Sequence, residues 1–363
     1  MNSLITNELP FREFMERALY DSAGGYYTRS RNPVSKSGDY LTSNAISPVF
    51  AFALARLVDD FVKHSGDELC AIVDIGCGDG QLIQRIAEQT DRRYRDHCVF
   101  FGIDRSLERI DEAMREDGFA QYRETLDGVP FDIPVLILSN ELFDAFPVAR
   151  LVQRGKELHE LWVTPVGEGL DWTELPAPDA YAGYFADRRI ALDDGQFADV
   201  SLDWSGHYSL LAEKLERGLI VTFDYGCAQE QLFNPRFRRY GTAAAYSQHR
   251  FNRDLLANPG GQDLTAQINF TDLWTAGERN GMSTLAFERQ ARFLLSLGIL
   301  EHPVFKPSEA SGGGTLESTI AGTEERQAAQ RLVLPDGIGD ELRVLVQSKG
   351  YPRAGWRFLE RPF

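Results

Sequence analysis

Cysteine is scarce: four in 363 residues, at Cys70, Cys77, Cys98 and Cys227, with no C-x-x-C spacing. That pattern excludes a zinc ribbon or a disulfide scaffold and fits a reducing compartment, and no metal site is expected. Positive charge is also in short supply. Thirty-eight Lys and Arg stand against 54 Asp and Glu, a formal net charge of −16. A general nucleic-acid binder carries a basic face, so this class is set aside, whereas a cationic partner remains compatible. Long apolar runs are missing: no window reaches the roughly 20 apolar residues of a membrane span. The start, MNSLITNELPFREFMERALY, has neither the apolar core of a signal peptide nor the acid-poor, Arg-rich character of a transit peptide. A cytoplasmic protein is expected. No internal repeat is found.

What the chain does have is core-forming material, 43% hydrophobic residues beside 25% charged, enough for one large α/β domain with insertions. Phe11, Phe14, Met15, Ala18 and Leu19 fall at helical spacing behind Pro10. A second helix is expected after Pro48, through VFAFALARLVDDFV. Strands and helices then alternate: CAIVDIG, QLIQRIAEQT, CVFFGID, SLERIDEAMRE, PVLILSN, HYSLLAEKLERG closed by Gly218, and LIVTFDYG, with STLAF and LRVLVQS as late strands. Such alternation predicts a mostly parallel sheet covered on both faces. Two stretches break the rhythm. LVQRGKELHELWV reads as a hairpin leading a segment of about 150–205, and 227–270 is polar and aromatic without a clear period. Irregular stretches of that length are more often functional than decorative.

The strand CAIVDIG runs into the loop GCGDG and then into a helix. Glycines there allow a ligand to approach the backbone at the carboxyl end of a sheet. Gly76, Gly78 and Gly80 give G-x-G-x-G, with Gln81 where a dinucleotide fingerprint needs its third glycine, so a nicotinamide enzyme is set aside. No G-K-[ST] follows, which excludes a P-loop. Asp104, ending CVFFGID, is placed to accept hydrogen bonds from ribose hydroxyls, and Asp74 could hold an ammonium group. A ligand with a ribose and an amino-acid moiety but no phosphate is S-adenosylmethionine. The bland reading of the same residues is a tight strand–helix turn plus a solvated acid.

Directly after PVLIL comes SNELFDAFP, residues 139–147. A fourth strand there would bring Asn140, Glu141 and Asp144 out beside an activated methyl group. If the acceptor is a guanidinium, carboxylates match its fork of donors. Alternatively Asn140 caps the turn and the acids cap or solvate the next helix, and for Asp144 the two readings stand level. His249, in YSQHR, is either a proton acceptor or a structural hydrogen-bonding group. Asp224 and Tyr225 touch substrate or brace the insertion, and Asp263 and Thr265 have the composition of a helix or turn cap. PRFRR, 235–239, reads as a solvated turn that would repel an arginine-rich peptide.

SNELFDAFPV resembles the NE-x-FDA-x-P signature of the MidA family, which includes a mitochondrial complex I assembly methyltransferase. GGYY, GDYLTS, FDYG, GTAAAYSQHR, LANPGGQDLTAQINFTDL and LPDGIGDELRVLVQSKG resemble further blocks of that family, across most of the chain. Asn44, Ala45 and Ala244 depart from its pattern, and DIGCGDG stands for its usual E-L-G-P-G-R-G. The resemblance implies a class I, Rossmann-like α/β methyltransferase using S-adenosylmethionine. Its acceptor would be a protein arginine, with symmetric dimethylarginine as product. It also implies that Gly38, Asp39, Thr42 and Ser43 line the cofactor site. The expectation is thus a mostly parallel seven-stranded sheet with an N-terminal helical cap over residues 1–66. The core would span 67–363, with insertions at about 150–205 and 227–270 forming the acceptor cleft. Cofactor residues would be Gly38, Asp39, Thr42, Ser43, Asp74, Gly76, Gly78, Gly80, Asp104 and Asn140, and Glu141, Asp144 and His249 would be catalytic. The rivals are a methyltransferase for a small or non-arginine acceptor and a non-catalytic assembly factor. Sequence leaves the oligomeric state open.

Overall fold

The computed structural model describes residues 4–28, 48–247, 250–306, 325–335 and 337–360. The chain divides into two compact units, each drawn from three segments. One comprises Met1–Leu41, Leu142–Ser209 and Tyr225–Ala276, and the other Thr42–Glu141, Leu210–Asp224 and Gly277–Phe363.

The second unit is built on a seven-strand run. Its members are β2 (Cys70–Ile75), β3 (Cys98–Ile103), β4 (Ala120–Arg123), β5 (Val135–Asn140), β10 (Gly218–Cys227), β15 (Ser283–Arg289) and β16 (Leu342–Lys349). They lie in the order β15-β16-β10-β5-β2-β3-β4. Parallel pairs join β10 to β5, β5 to β2, β2 to β3 and β3 to β4, while β15 runs antiparallel to β16. The central strands are apolar from end to end because both faces are covered; every residue of β2 is buried. The helix Pro48–His64 opens on the proline, which lacks an N–H to leave unsatisfied, and buries Phe50 edge-on against Phe223 at 5.3 Å. Helix Gln81–Gln89 buries Leu82, Ile83 and Ile86. The chain's end belongs to this core: Trp356 is buried and stacks on His64 at 3.8 Å.

The first unit is antiparallel. Strands β1 (Leu9–Pro10), β6 (Ala149–Arg154), β7 (Glu157–Val166) and β9 (Phe197–Val200) follow the order β1-β7-β6-β9, with β8 (Gly169–Pro176) pairing antiparallel to β7 over His159–Val166. The β6–β7 hairpin is the one LVQRGKELHELWV predicts. A second sheet holds β11 (Ala244–Ser247), β12 (Arg250–Asn252) and β13 (Asp263–Thr265) in the order β12-β11-β13. β14 (Ile268–Asn269) pairs in parallel with Gly226 and Cys227 at the end of β10. Helix Phe11–Tyr20 forms as its spacing predicts, with Phe11, Phe14, Met15, Ala18 and Leu19 buried.

Several expectations shift. Helix Pro48–His64 lies in the sheet-bearing unit, with Val49, Phe50, Leu54, Leu57, Val58 and Phe61 among its buried residues. Gly218 starts β10 instead of closing the preceding helix, which ends at Lys214; a Cβ there would stand 2.0 Å from the Val135 carbonyl oxygen. Asp263 and Thr265 are strand residues, not caps. SLERIDEAMRE yields only the short helix Glu112–Asp117, capped by the Asp111 side chain.

Candidate functional site

Strand order reverses in the middle of the seven-strand run: β3 and β4 lie on one side of β2, and β5 and β10 on the other. Ligands of open α/β sheets bind outside the carboxyl ends of strands at such a reversal. The residues delivered there are the loop after β2, the end of β3 and the end of β5.

Glycine's backbone freedom is used twice in the loop, for different reasons. Gly78 has φ +61 and a Cβ added to it would meet nothing within 4 Å among the described residues, so its surroundings are an open cradle. Gly80 has φ +74 and its Cβ would fall 2.6 Å from the Tyr122 ring, whose hydroxyl donates to the Gly80 carbonyl oxygen at 3.1 Å. Gly80 is therefore the seat of an aromatic side chain on β4. Gly76, also at positive φ, donates its N–H to the Ile103 carbonyl at 2.8 Å, fixing the loop to β3.

Asp104 reaches back to the same loop. Its Oδ2 accepts the Gly78 N–H at 2.9 Å, its Oδ1 accepts the Ser106 N–H at 3.1 Å, and Arg109 Nη2 lies 3.4 Å from Oδ1. Asp74 sits beneath, buried, with Oδ2 lacking a hydrogen-bond partner among the described residues. Burial pushes its carboxyl up to about 8, and the charges of Asp104 and Asp79 add to the rise. Burial likewise raises the Cys77 thiol well above its usual range, reinforced by Asp74 and Asp104.

Asp74 is registered with Leu138 on β5, so Asn140, two residues on, shares its side of the sheet. Asn140 Oδ1 is also buried without a partner among the described residues, while its Nδ2 donates to Glu141 Oε1 at 3.3 Å. Two orphaned acceptors on one face call for a donor-rich ligand. Glu141 itself has φ +51, a left-handed conformation costing about 1–2 kcal/mol for a non-glycine residue. It is held by its own N–H, which donates to the Phe223 carbonyl at 2.8 Å. Such strain persists where surrounding structure over-determines it, and it clusters at functional sites.

Asp144 belongs to the first unit, buried, with its carbonyl accepting the Ala266 N–H at 3.0 Å. Near it in that unit, Tyr27 donates to Asp263 Oδ1 at 2.9 Å, and the charges of Asp263 and Asp144 add to the burial that lifts the Tyr27 hydroxyl far above its usual range. Asp224 is buried in the second unit and Tyr225 begins a segment of the first. Gly38, Asp39, Thr42, Ser43 and His249 lie outside the described residues. Sequence reasoning missed Tyr122, Arg109 and Tyr27. The alternation of apolar and polar residues in AQYR was the available signal for Tyr122, and the structure buries Ala120 and Tyr122.

This reversal with its glycine loop defines a Rossmann-like, class I methyltransferase fold. A family model described as S-adenosyl-L-methionine-dependent methyltransferase matches residues 53–288, and the chain belongs to that family, in keeping with its MidA-like motifs. The chain is similar to a methyl transferase from Burkholderia thailandensis whose crystal structure holds S-adenosyl-homocysteine: 23% identity, TM-score 0.82, covering 98% of this chain and 91% of that one. It is also similar to an uncharacterized protein of the same superfamily from the same organism, at 24% identity and TM-score 0.79, with the same coverage. No curated protein matches. Among the described residues, no helix is long and apolar enough to cross a membrane.

Proposed function

We propose that the crevice of the second unit binds S-adenosylmethionine and that the methyl group passes to a protein arginine. The fit rests on chemistry present in the chain. The open cradle at Gly78 admits a ligand against the backbone, Asp104 stands where ribose hydroxyls would bond, and Asp74 Oδ2 with Asn140 Oδ1 supplies acceptors for an α-ammonium group. Gly76 and Gly80 shape the loop. Gly38, Asp39, Thr42 and Ser43 join this set on the family resemblance alone.

When bound, the cofactor supplies a methyl group already activated by its sulfonium. What remains is to present a nucleophile in line and to exclude water. Glu141 is the residue assigned to the acceptor: its carboxylate pairs with the guanidinium fork and localises charge while a guanidino nitrogen forms the new N–C bond. The S–CH3 electron pair stays on sulfur, and one proton leaves the methylated nitrogen, so the product remains a cation. Asp144 and His249 are kept as further candidates for holding the acceptor or relaying that proton.

The observation that carries this reading is the strained, over-determined backbone of Glu141 at the strand end. The test is methyl transfer from labelled cofactor to arginine-containing proteins, with amino-acid analysis of the product. Symmetric dimethylarginine formed by the native chain and lost by at least about 100-fold in Glu141→Gln is expected. Label on a small molecule or on lysine would replace the arginine assignment, and no transfer at all would favour a non-catalytic assembly role. Gly78→Val should abolish cofactor binding, read by calorimetry; normal binding would move the site elsewhere.

A further inference from the structure

Between Glu230 and Asp254 the chain carries no carboxylate but five arginines, Arg236, Arg238, Arg239, Arg250 and Arg253, in a protein of net charge −16. Among the described residues none of the five is ion-paired to a carboxylate. Arg238 bonds Gln267 and Arg239 bonds the Asp194 carbonyl. The same stretch holds Tyr240, Phe237 and Phe251, which are 73%, 71% and 57% exposed. Exposed aromatics beside unpaired arginines have the composition that marks the energetic centre of protein interfaces.

The stretch is anchored at the mouth of a cavity of about 350 Å³ in the same unit. Phe197 N–H donates to the Arg239 carbonyl at 2.9 Å, and Arg150 Nη2 donates to the Tyr240 carbonyl at 2.9 Å. Leu161, Trp172, Phe197 and Leu255 give the cavity apolar walls, and Arg150 and Arg253 stand among them. Its acids already have roles: Glu174 is ion-paired to Arg154, and Asp254 Oδ1 accepts the Leu256 N–H at 3.0 Å.

We propose that residues 235–247 and 250–254, with this cavity, form a docking surface for an acidic segment of a protein partner. Carboxylates of the segment pair bidentately with the guanidinium groups of Arg236, Arg250 and Arg253, and one of its apolar side chains enters between Trp172 and Phe197. A nucleic acid is the poorer occupant, since its continuous phosphate charge would face the excess acid of the remaining surface. The inference does not depend on which acceptor is methylated. If the acceptor is an arginine, this surface selects proteins that present it with an acidic segment and disfavours arginine-rich tails.

The experiment uses the full-length chain and fluorescence anisotropy of a labelled peptide of Glu-Glu-Phe repeats, with a Lys-Lys-Phe peptide and oligouridylate beside it. The acidic peptide should bind, more weakly as salt rises, and about tenfold more weakly to Arg236→Ser/Arg250→Ser/Arg253→Ser and to Tyr240→Ser. Phe119→Ser, at an exposed aromatic outside the stretch, should change nothing, and unaltered S-adenosylmethionine binding would show that the variants remain folded. No binding, or binding indifferent to these substitutions, overturns the proposal. So does tighter binding of oligouridylate. Concentration-dependent dimerisation lost in the same variants would overturn it in favour of a second copy of this chain.

Discussion

Asp74 and Asp199 are buried to the same degree, each 2% exposed, yet their surroundings treat them in opposite ways. Asp199, on β9 of the first unit, is saturated. Oδ1 accepts Arg150 Nη1 at 2.8 Å, and Oδ2 accepts the backbone N–H groups of Thr242 and Ala243 at 2.5 and 2.7 Å. It staples the arginine-bearing insertion to the antiparallel sheet. Asp74 has an oxygen with no partner among the described residues and two carboxylates close enough to lift its proton affinity. A buried acid that is fully paired is architecture; one left short of donors is held ready for a ligand.

The comparison can be broken most directly at Asp199. Asp199→Ala removes every bond of the staple and leaves Arg150 without its counter-charge, so urea unfolding should report a loss of about 3–5 kcal/mol. A change below about 1 kcal/mol would mean that the insertion is held by other means. Gly80→Ala comes next. Its Cβ would overlap the Tyr122 ring in a left-handed conformation, and a loss of about 2–3 kcal/mol is expected in the same assay. Gly78→Ala, with free space around it, should lose only about 1 kcal/mol.

Asp74→Asn sharpens the contrast through pH. The folded carboxyl titrates near 8, above the usual value of about 4. Its contribution to stability is therefore fully present below about pH 4 and lost as pH rises through 8. The ligand-free native chain should melt progressively lower across that window, and Asp74→Asn should flatten this part of the profile. Binding of a cationic amine favours the ionised carboxylate, so S-adenosylmethionine affinity should rise with pH, by up to about tenfold per unit below pH 8. Calorimetry in buffers of different ionisation heat would detect the released proton. In Asp74→Asn the affinity should fall about tenfold at pH 8 and lose its slope; an unchanged slope would place the titrating group elsewhere. The smallest effect is expected from Glu141→Gly, where relief of left-handed strain outweighs the added freedom of the unfolded chain by about 0.5 kcal/mol. It should be slightly more stable than the native chain and inactive in methyl transfer.

The sheet-bearing unit was legible because its signals are local. CAIVDIG, CVFFGID and PVLILSN are continuous apolar runs that only a doubly covered sheet can bury, and a glycine loop between strand and helix has few uses. Glu141 could be singled out from its place after a strand, but its left-handed backbone could not. That geometry follows from a bond to Phe223, on a strand far along the chain. The antiparallel unit was mostly hidden. β11, β12 and β13 run to four residues at most, too short for alternation to register. Asp199 looked like one acid among several in ALDDGQFADV, because its partners lie 43–49 positions away.

Those separations bear on how the protein is made. Tyr27 and Asp263, joined by a hydrogen bond, are 236 positions apart, and each unit takes its last segment from beyond residue 224. At ribosomal rates of roughly 5–20 residues per second, helix Phe11–Tyr20 waits on the order of tens of seconds for the strand that completes its surroundings. Part of its buried face is covered once β6, β7 and Trp172 have been made, and the rest stays bare until β13 arrives. The nascent chain is thus a natural client for a holdase, and its yield in a cell should respond to chaperone supply more than to the equilibrium stability of the finished fold.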